Sequence, residues 1–272
     1  MKIKFTKMHG LGNDFILLDL TAKELPGVQR IVKKLSDRRF GVGFDQALIL
    51  RKSKKADFRM DIYNNDGGRV EMCGNGIRCL AHYIWTKRLS SKRRLDIETL
   101  AGIIRPEQAG KLVRVDMGEP VLEGRLIPTE TAGPVVDYML EALDRVFPVT
   151  CVSMGNPHCV IFVDDVDNFP VEKYGPVLEN HKFFPKRANV EFIEVVNKKR
   201  LKMRVWERGA GETLACGTGA TASAVAASIK GLAGRKVSVI LKGGTLEIEW
   251  AADNHAYMTG PAEMVFTGTA EL

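Results

Sequence analysis

The sequence lacks any apolar run long enough to cross a membrane. Stretches such as Phe15 to Leu18 and Ala222 to Ala227 fall far short of the roughly 20 residues a spanning helix needs. Met1 to Gly10 carries neither an apolar signal core nor a cleavage pattern, so a cytoplasmic chain with no membrane partner is expected. Aromatic residues are few, at 7%, and none is interleaved with the basic clusters at Lys52 to Lys55, Lys92 to Arg94 and Lys198 to Lys202. That absence argues against a nucleic-acid surface, and the clusters read as solvated faces. The net charge of +7, from 40 basic and 33 acidic residues, is scattered and at most suits an acidic small substrate. No two cysteines have the CxxC spacing. The five that exist are odd in number and widely separated, which leaves a structural zinc site, a thioredoxin-like motif and a disulfide framework unsupported. No lysine-centred pyridoxal signature or metal-ligand cluster stands out, so neither a cofactor nor a metal is expected.

What is present is a repeat. Cys73-Gly74-Asn75-Gly76 and Cys216-Gly217-Thr218-Gly219 stand 143 residues apart. The same offset carries Gly12-Asn13 onto Gly155-Asn156, Gln46 onto Asn189 and Asn64 onto Glu207. Glycines can recur for backbone reasons alone, but polar side chains at matched sites fit a duplicated site better. The 272 residues suffice for two domains of ordinary size. Residues 1–118, completed by 263–272, are expected to form an N-terminal half that carries Cys73. Residues 119–262 are expected to form a C-terminal half that carries Cys216. The boundary falls where Asp116-Met117-Gly118-Glu119-Pro120 breaks a strand pattern.

Short apolar runs and alternation predict strands at Lys2 to Met8, Ile16 to Leu20, Gln46 to Arg51 and Phe58 to Tyr63, with an amphipathic helix over Val28 to Phe40. The second half repeats the order. Strands are predicted at His158 to Val163, Val190 to Val196 and Leu201 to Val205, and a helix around Val171 to His181. Each glycine-flanked cysteine precedes a helix, Gly74 to Lys87 and the small-residue stretch Gly217 to Gly231. The expected fold class is α+β: two pseudo-symmetric halves, each a curved, largely antiparallel sheet wrapped around a central helix, with both halves giving equivalent groups to one shared cleft.

A cysteine at a helix N-terminus meets free backbone N–H groups and the positive end of the helix dipole, which lower the thiol pKa from about 8.5. Such a thiol can act as a base near neutral pH. The flanking glycines let backbone amides approach a carboxylate closely. Two such groups suit inversion of a stereocentre beside a carboxylate, one removing a proton and the other delivering one. The carboxylate would take the developing charge among the backbone donors. Cys79, Cys151 and Cys159 lack glycine-rich flanks and read as core residues.

At these residues the chain resembles the diaminopimelate epimerases along nearly its whole length. The resemblance is carried by Lys7 to Phe15 (KMHGLGNDF), Asn64 to Arg78 (NNDGGRVEMCGNGIR), Ser153 to His158 (SMGNPH) and Trp206 to Ala220 (WERGAGETLACGTGA). It implies interconversion of LL-2,6-diaminopimelate and the meso form in amino-acid biosynthesis, with Cys73 and Cys216 as the proton-transfer groups. By the same resemblance Gly74, Asn75, Gly217 and Thr218 hold the reacting carboxylate, and Asn13, Gln46, Asn64, Asn156, Asn189, Glu207 and Arg208 line the rest of the substrate site. His158 and Glu207 are candidates for tuning the thiols. The bland alternatives are a structural histidine at a strand start and a carboxylate paired with Arg208. The resemblance further implies a homodimer with a contact at Phe266, where tyrosine is often found. Thr218 stands where serine is also usual, and Asn65 where alanine is common.

The other readings are a cysteine-dependent racemase of another amino acid on the same fold, a thiol redox protein and a non-catalytic amino-acid-binding protein. Arg208 and the asparagines favour a substrate polar at both ends, and a mere binder has no use for two thiols.

Overall fold

The computed structural model describes residues 2–71 and 73–271. The chain divides into two compact units, residues 1–115 with 259–272, and residues 116–258. None of the described helices is long and apolar enough to cross a membrane.

The first unit begins with β1 (Lys2–Gly10), β2 (Asn13–Asp19), α1 (Val28–Leu35), β3 (Gln46–Arg51) and β4 (Phe58–Asn64). It continues with β5 (Arg69–Val70), α2 (Gly74–Thr86), β6 (Ile97–Thr99), β7 (Gly102–Ile104), β8 (Glu107–Ala109) and β9 (Leu112–Asp116). The final strand of the chain, β19 (Glu263–Glu271), pairs antiparallel with β1. The resulting sheet runs β19-β1-β2-β3-β4-β6-β7, with β5 beside β4. Its β2–β3 and β4–β6 pairs are parallel and the others antiparallel.

The second unit holds β10 (Tyr138–Ala142), β11 (Arg145–Ser153), β12 (Pro157–Phe162), α3 (Val171–Glu179), β13 (Asn189–Asn197) and β14 (Arg200–Glu207). It closes with β15 (Gly211–Thr213), α4 (Gly217–Ile229), β16 (Lys236–Leu241), β17 (Gly244–Trp250) and β18 (Ala256–Gly260). These strands run β10-β11-β12-β13-β14-β16-β17-β18, with β15 beside β14. Again two pairs are parallel, β12–β13 and β14–β16.

The two units repeat one another pair by pair. Phe15 faces Gln46 across β2–β3, and His158 faces Asn189 across β12–β13. Ile62 faces Val70 across β4–β5, and Val205 faces Thr213 across β14–β15. These are the same ladder positions at the offset that separates Cys73 from Cys216. Each sheet curls around one helix. The α2 helix touches five adjacent strands (β19, β1, β2, β3 and β4), and α4 touches six (β11, β12, β13, β14, β16 and β17). Strands lie about 4.8 Å apart and a helix is about 10 Å across, so one helix reaches that many strands only if the sheet bends around it. The sequence supports both arrangements. Ile77, Leu80, Ala81 and Ile84 of α2 are fully buried, while α4 is built of alanine and other small residues buried on every face.

One expected element is shorter than its pattern. The α1 helix ends at Leu35 instead of reaching Phe40. The Asp37 carboxylate accepts the backbone N–H groups of Arg39 and Phe40, both at 2.7 Å, and this side-chain turn competes with the helical ladder. The chain then folds back so that Val42 and Gly43 donate to the Leu35 carbonyl. Cys79, Cys151 and Cys159 are core residues as expected, all buried.

Against the second sheet, α3 lies so close that a side chain cannot be added at Gly175. A Cβ there falls 2.6 Å from Cγ of Trp206. Trp206 is itself held by a hydrogen bond from its indole N–H to Glu179. Gly175→Ala should therefore destabilise the protein by about 1–3 kcal/mol through overpacking. Urea denaturation checks this, and an unchanged midpoint counts against the packing described.

Candidate active site

Both glycine-flanked cysteines are the N-caps of their helices. Cys73 has extended backbone dihedrals (φ −141°, ψ 116°), and its sulfur accepts the Gly76 N–H at 3.4 Å. Cys216 has nearly the same dihedrals (φ −122°, ψ 111°), and its sulfur accepts the Gly219 N–H at 3.3 Å. A serine or aspartate commonly fills this role; here a thiol takes it. The N–H groups of Gly74 and Asn75, and of Gly217 and Thr218, belong to first turns, where an α-helix leaves its donors without intrahelical partners. Each sulfur thus sits beside a pair of donors suited to a carboxylate. The first turn is braced from below in the same way twice. Arg78 donates to the Gly74 carbonyl at 3.2 Å, and Thr221 donates to the Gly217 carbonyl at 2.9 Å.

The asparagines are delivered by tight loops. Gly12 (φ 86°) and Gly155 (φ 91°) turn the chain in the left-handed region that strains other residues, placing Asn13 at the head of β2 and Asn156 just before β12. In the first unit Asn13 Oδ1 accepts from Asn75 Nδ2 at 3.2 Å and lies 3.9 Å from the Cys73 sulfur. Asn13 Nδ2 donates to Asp45 at 2.9 Å. Gln46 opens β3 and Asn64 closes β4, and Gln46 Nε2 donates to Asn64 Oδ1 at 2.9 Å. Gln46 Oε1 is buried and accepts no hydrogen bond from the described residues.

In the second unit Asn156 Nδ2 donates to Thr218 Oγ1 at 3.3 Å, and Thr218 Oγ1 lies 3.4 Å from the Cys216 sulfur. The His158 ring is fully buried between Asn156 Oδ1, 3.0 Å from Nε2, and Glu191 Oε1, 2.7 Å from Nδ1. Asn189 opens β13, donates to the Pro157 carbonyl and accepts the Arg208 N–H at 3.0 Å. Glu207 ends β14 and accepts the Thr213 hydroxyl. Arg208 is exposed and donates to the Lys186 carbonyl. Among the described residues no ion pair joins Glu207 to Arg208.

The sequence residues therefore gather in two sets. Asn13, Gln46, Asn64, Gly74 and Asn75 share the first unit with Cys73; Asn156, His158, Asn189, Glu207, Arg208, Gly217 and Thr218 share the second with Cys216. Phe266 lies apart from both, half-exposed on β19, with its ring edge-on to Phe5. Two further residues escaped the sequence pattern. Asp45, which orients Asn13, belongs to a charged cluster with Asp14, Arg38 and Lys7. Burial pushes Asp14 up, but Arg38 and Lys7 outweigh it and hold its carboxyl at about 2. Glu191, fully buried behind His158, is a lone charge in the apolar run Val190 to Ile193, and that oddity was the available signal.

The electrostatics of the second set favour protons. Burial pushes the Glu207 carboxyl above its usual value, and the Glu191 charge adds to this against Thr213 and His158. Burial, then Glu207 and Glu191, push the Cys216 thiol well above 9.0 despite the Thr218 and Gly219 hydrogen bonds. Elsewhere, burial pushes Cys79 up to about 12 against the nearby Arg78 charge. Asp165, Asp167 and Glu194 stand together at the surface, bridged by Lys202.

Comparisons with known proteins show which family the chain belongs to. The family model described as Diaminopimelate epimerase matches residues 5–123 and 150–265. A diaminopimelate epimerase of Moorella thermoacetica is 52% identical, with 98% of this chain and 99% of that protein covered. One of Methanococcus maripaludis is 50% identical over 99% of this chain and all of that protein. Among solved structures, a phenazine biosynthesis protein of the PhzF family from Bacillus anthracis shares the fold, with a TM-score of 0.74 over the whole of both chains at 19% identity.

Reactivity should follow burial and charge. Cys73 is half-buried, whereas Cys216 is buried and holds its proton. In the free protein at neutral pH, an alkylating reagent should label Cys73 well before Cys216, because only a thiolate attacks. Labelling of Cys216 should climb only as pH passes the ordinary thiol value of 9.0. The sign for stability agrees. The folded state holds this proton more tightly than the unfolded chain does. The resulting stabilisation is fully present below the unfolded pKa and is lost as pH rises through the folded one. Peptide mapping of the labelled protein checks the order, and equal labelling at pH 7 contradicts it.

Proposed function

The chain belongs to the diaminopimelate epimerase family, and on that premise we propose that it interconverts LL-2,6-diaminopimelate and meso-2,6-diaminopimelate with Cys73 and Cys216 as a pair of acid/base groups. The observation that carries this is the twofold recurrence of a thiol as helix N-cap, each beside two first-turn N–H groups.

One sulfur, as thiolate, removes the α-proton from one face of the stereocentre. The other, as thiol, delivers a proton to the opposite face, and the configuration inverts. Between these events the electron pair delocalises into the α-carboxylate. The N–H groups of Gly74, Asn75, Gly217 and Thr218 stabilise that enediolate-like charge. The raised thiol of Cys216 suits it to deliver the proton in the direction in which Cys73 is the base. Turnover in the reverse direction exchanges these states.

The distal end of the substrate is an ammonium and a carboxylate. Arg208, exposed and with guanidinium donors beyond the one bonded to Lys186, pairs with the carboxylate. Gln46 Oε1, Glu207 and the amide oxygens of Asn64, Asn156 and Asn189 are acceptors for ammonium. A racemase of proline has no use for a guanidinium at that end. As an enzyme of amino-acid biosynthesis acting on a free small molecule, the protein works in the cytoplasm.

Cys73→Ser and Cys216→Ser should each lower epimerisation by at least about 10²–10⁴-fold, because a serine hydroxyl does not ionise near neutral pH. Each variant should still release halide from one stereoisomer of a β-halogenated diaminopimelate, the preferred isomer swapping between them. Deuterium uptake at the α-carbon in heavy water, without added cofactor, reads epimerisation directly. Full activity in either variant rules out the two-thiol reading, and the same isomer preference in both rules out opposed faces.

A homodimer through the first unit follows from β19. Among the described residues no strand pairs with its outer edge, and it exposes Val265 and Phe266. Phe266→Glu should shift sedimentation from dimer to monomer at micromolar concentration. A wild-type protein that sediments only as monomer overturns the dimer.

A further inference from the structure

The first turns of α2 and α4 are braced from the same position by unlike residues. Arg78 and Thr221 stand at the offset that separates the two cysteines, and each donates to the carbonyl of the residue that follows its cysteine. Thr221 does so as a neutral hydroxyl. Arg78 brings a charge to a place with no solvent access. Its Nε donates to the Pro261 carbonyl at 3.2 Å and its Nη2 to Asn75 Oδ1 at 2.9 Å. Gly10, at the end of β1, leaves room for the fork, since a Cβ there would fall 3.1 Å from Nη2. The matching residue of the second unit is Ser153.

A buried cation is costly unless its surroundings compensate it. Thr221 shows that bracing the first turn does not require a charge. Burial pushes the Arg78 guanidinium below its ordinary value, and the charges that pull it back up are the Cys79 and Cys73 thiolates. Cys79 is fully buried and pushed up to about 12, so it keeps its proton at neutral pH. Cys73 is half-buried and caps the very turn that Arg78 braces. Other charged groups on α2 and on the strands around it have partners of their own. Asp14 and Asp45 pair with Lys7 and Arg38, and Asp61 with Arg51, Arg59 and Arg69. His9 lies 3.7 Å from Glu263, and Asp19 accepts from Thr21 and Tyr83. Burial pushes His82 below its ordinary value, toward the neutral form, and Glu71 is exposed.

We infer that Arg78 is a positioning residue whose buried charge holds Cys73 as the thiolate, while its hydrogen bonds fix the helix start that carries the sulfur. A guanidinium suits this role because it stays charged over the whole range in which a thiol titrates. The pseudo-symmetric thiols therefore have surroundings of opposite sign. A cation lies under the helix start of Cys73, and the carboxylates of Glu207 and Glu191 act on Cys216.

The consequence for turnover rests on the two-thiol reading, but the reactivity of Cys73 tests the inference without substrate. In the wild-type protein the rate of Cys73 alkylation should rise with pH through a midpoint below the ordinary thiol value of 9.0. Arg78→Gln keeps a donor for the Gly74 carbonyl and removes the charge. Its midpoint should move up by on the order of one pH unit. Arg78→Lys keeps the charge and loses the fork, and its midpoint should stay with the wild type. Equal midpoints in all three proteins, or equal shifts in both variants, overturn the inference. If Arg78→Gln does not fold, the thiolate absorbance of the wild-type protein, with that of Cys73→Ser subtracted, reads the Cys73 midpoint directly. A midpoint at or above 9.0 overturns the inference, and one well below supports it. In turnover, Arg78→Gln should release halide about 10-fold more slowly at neutral pH from the stereoisomer served by Cys73, and the loss should recover as pH rises. The stereoisomer served by Cys216 should change far less. If the wild-type protein releases halide from neither isomer, the two-thiol reading fails, and the alkylation midpoints still decide the role of Arg78.

Discussion

The interaction on which this structure depends is a thiol serving as the N-cap of a helix. It couples three requirements at one residue. The sulfur must accept a first-turn amide, as in the bonds from Gly76 to Cys73 and from Gly219 to Cys216. The third helical residue is glycine in both, where a Cβ falls 2.9 Å from the Leu48 side chain in one unit and 2.6 Å from the Glu191 carboxylate in the other. The remaining first-turn donors must do without intrahelical partners. Each sheet is curled so that a single helix can be held this way, with its N-terminus at the ends of the strands that carry Asn13, Gln46 and Asn64, or Asn156, Asn189 and Glu207.

From that constraint the division of labour follows. The backbone at the two helix starts is nearly identical in both units, since helix starts are fixed by main-chain geometry. The side chains behind the sulfurs are free to differ, and they do. A two-base reaction needs the partners in opposite protonation states at any moment, and identical surroundings give no preference for either assignment. Burial with Glu207 and Glu191 favours the protonated state at Cys216.

Belonging to the diaminopimelate epimerase family and sharing a fold with a PhzF-family protein at 19% identity are facts of different weight. A shared fold says little about the ligand.

The sequence by itself determined the duplication, the two thiols and the polar residues arrayed with them. These were legible because function repeated rare residue types at one offset, and because strands such as Gln46 to Arg51 and helices such as Gly74 to Thr86 follow plain hydrophobic periods. The helix α1 was overrun because an amphipathic pattern does not register a side chain that caps early, as Asp37 does. Only the tertiary structure decided what stands behind each sulfur. Asp45 is an ordinary acidic residue in sequence and Glu191 only a lone charge in an apolar run, and their contacts come from the fold that brings them to Asn13 and His158. The physical reason is that backbone preferences are local and recur wherever the same residues recur. The protonation of a buried group is set instead by neighbours distant in the chain, and no spacing along the sequence records which of them the fold will bring within hydrogen-bond reach.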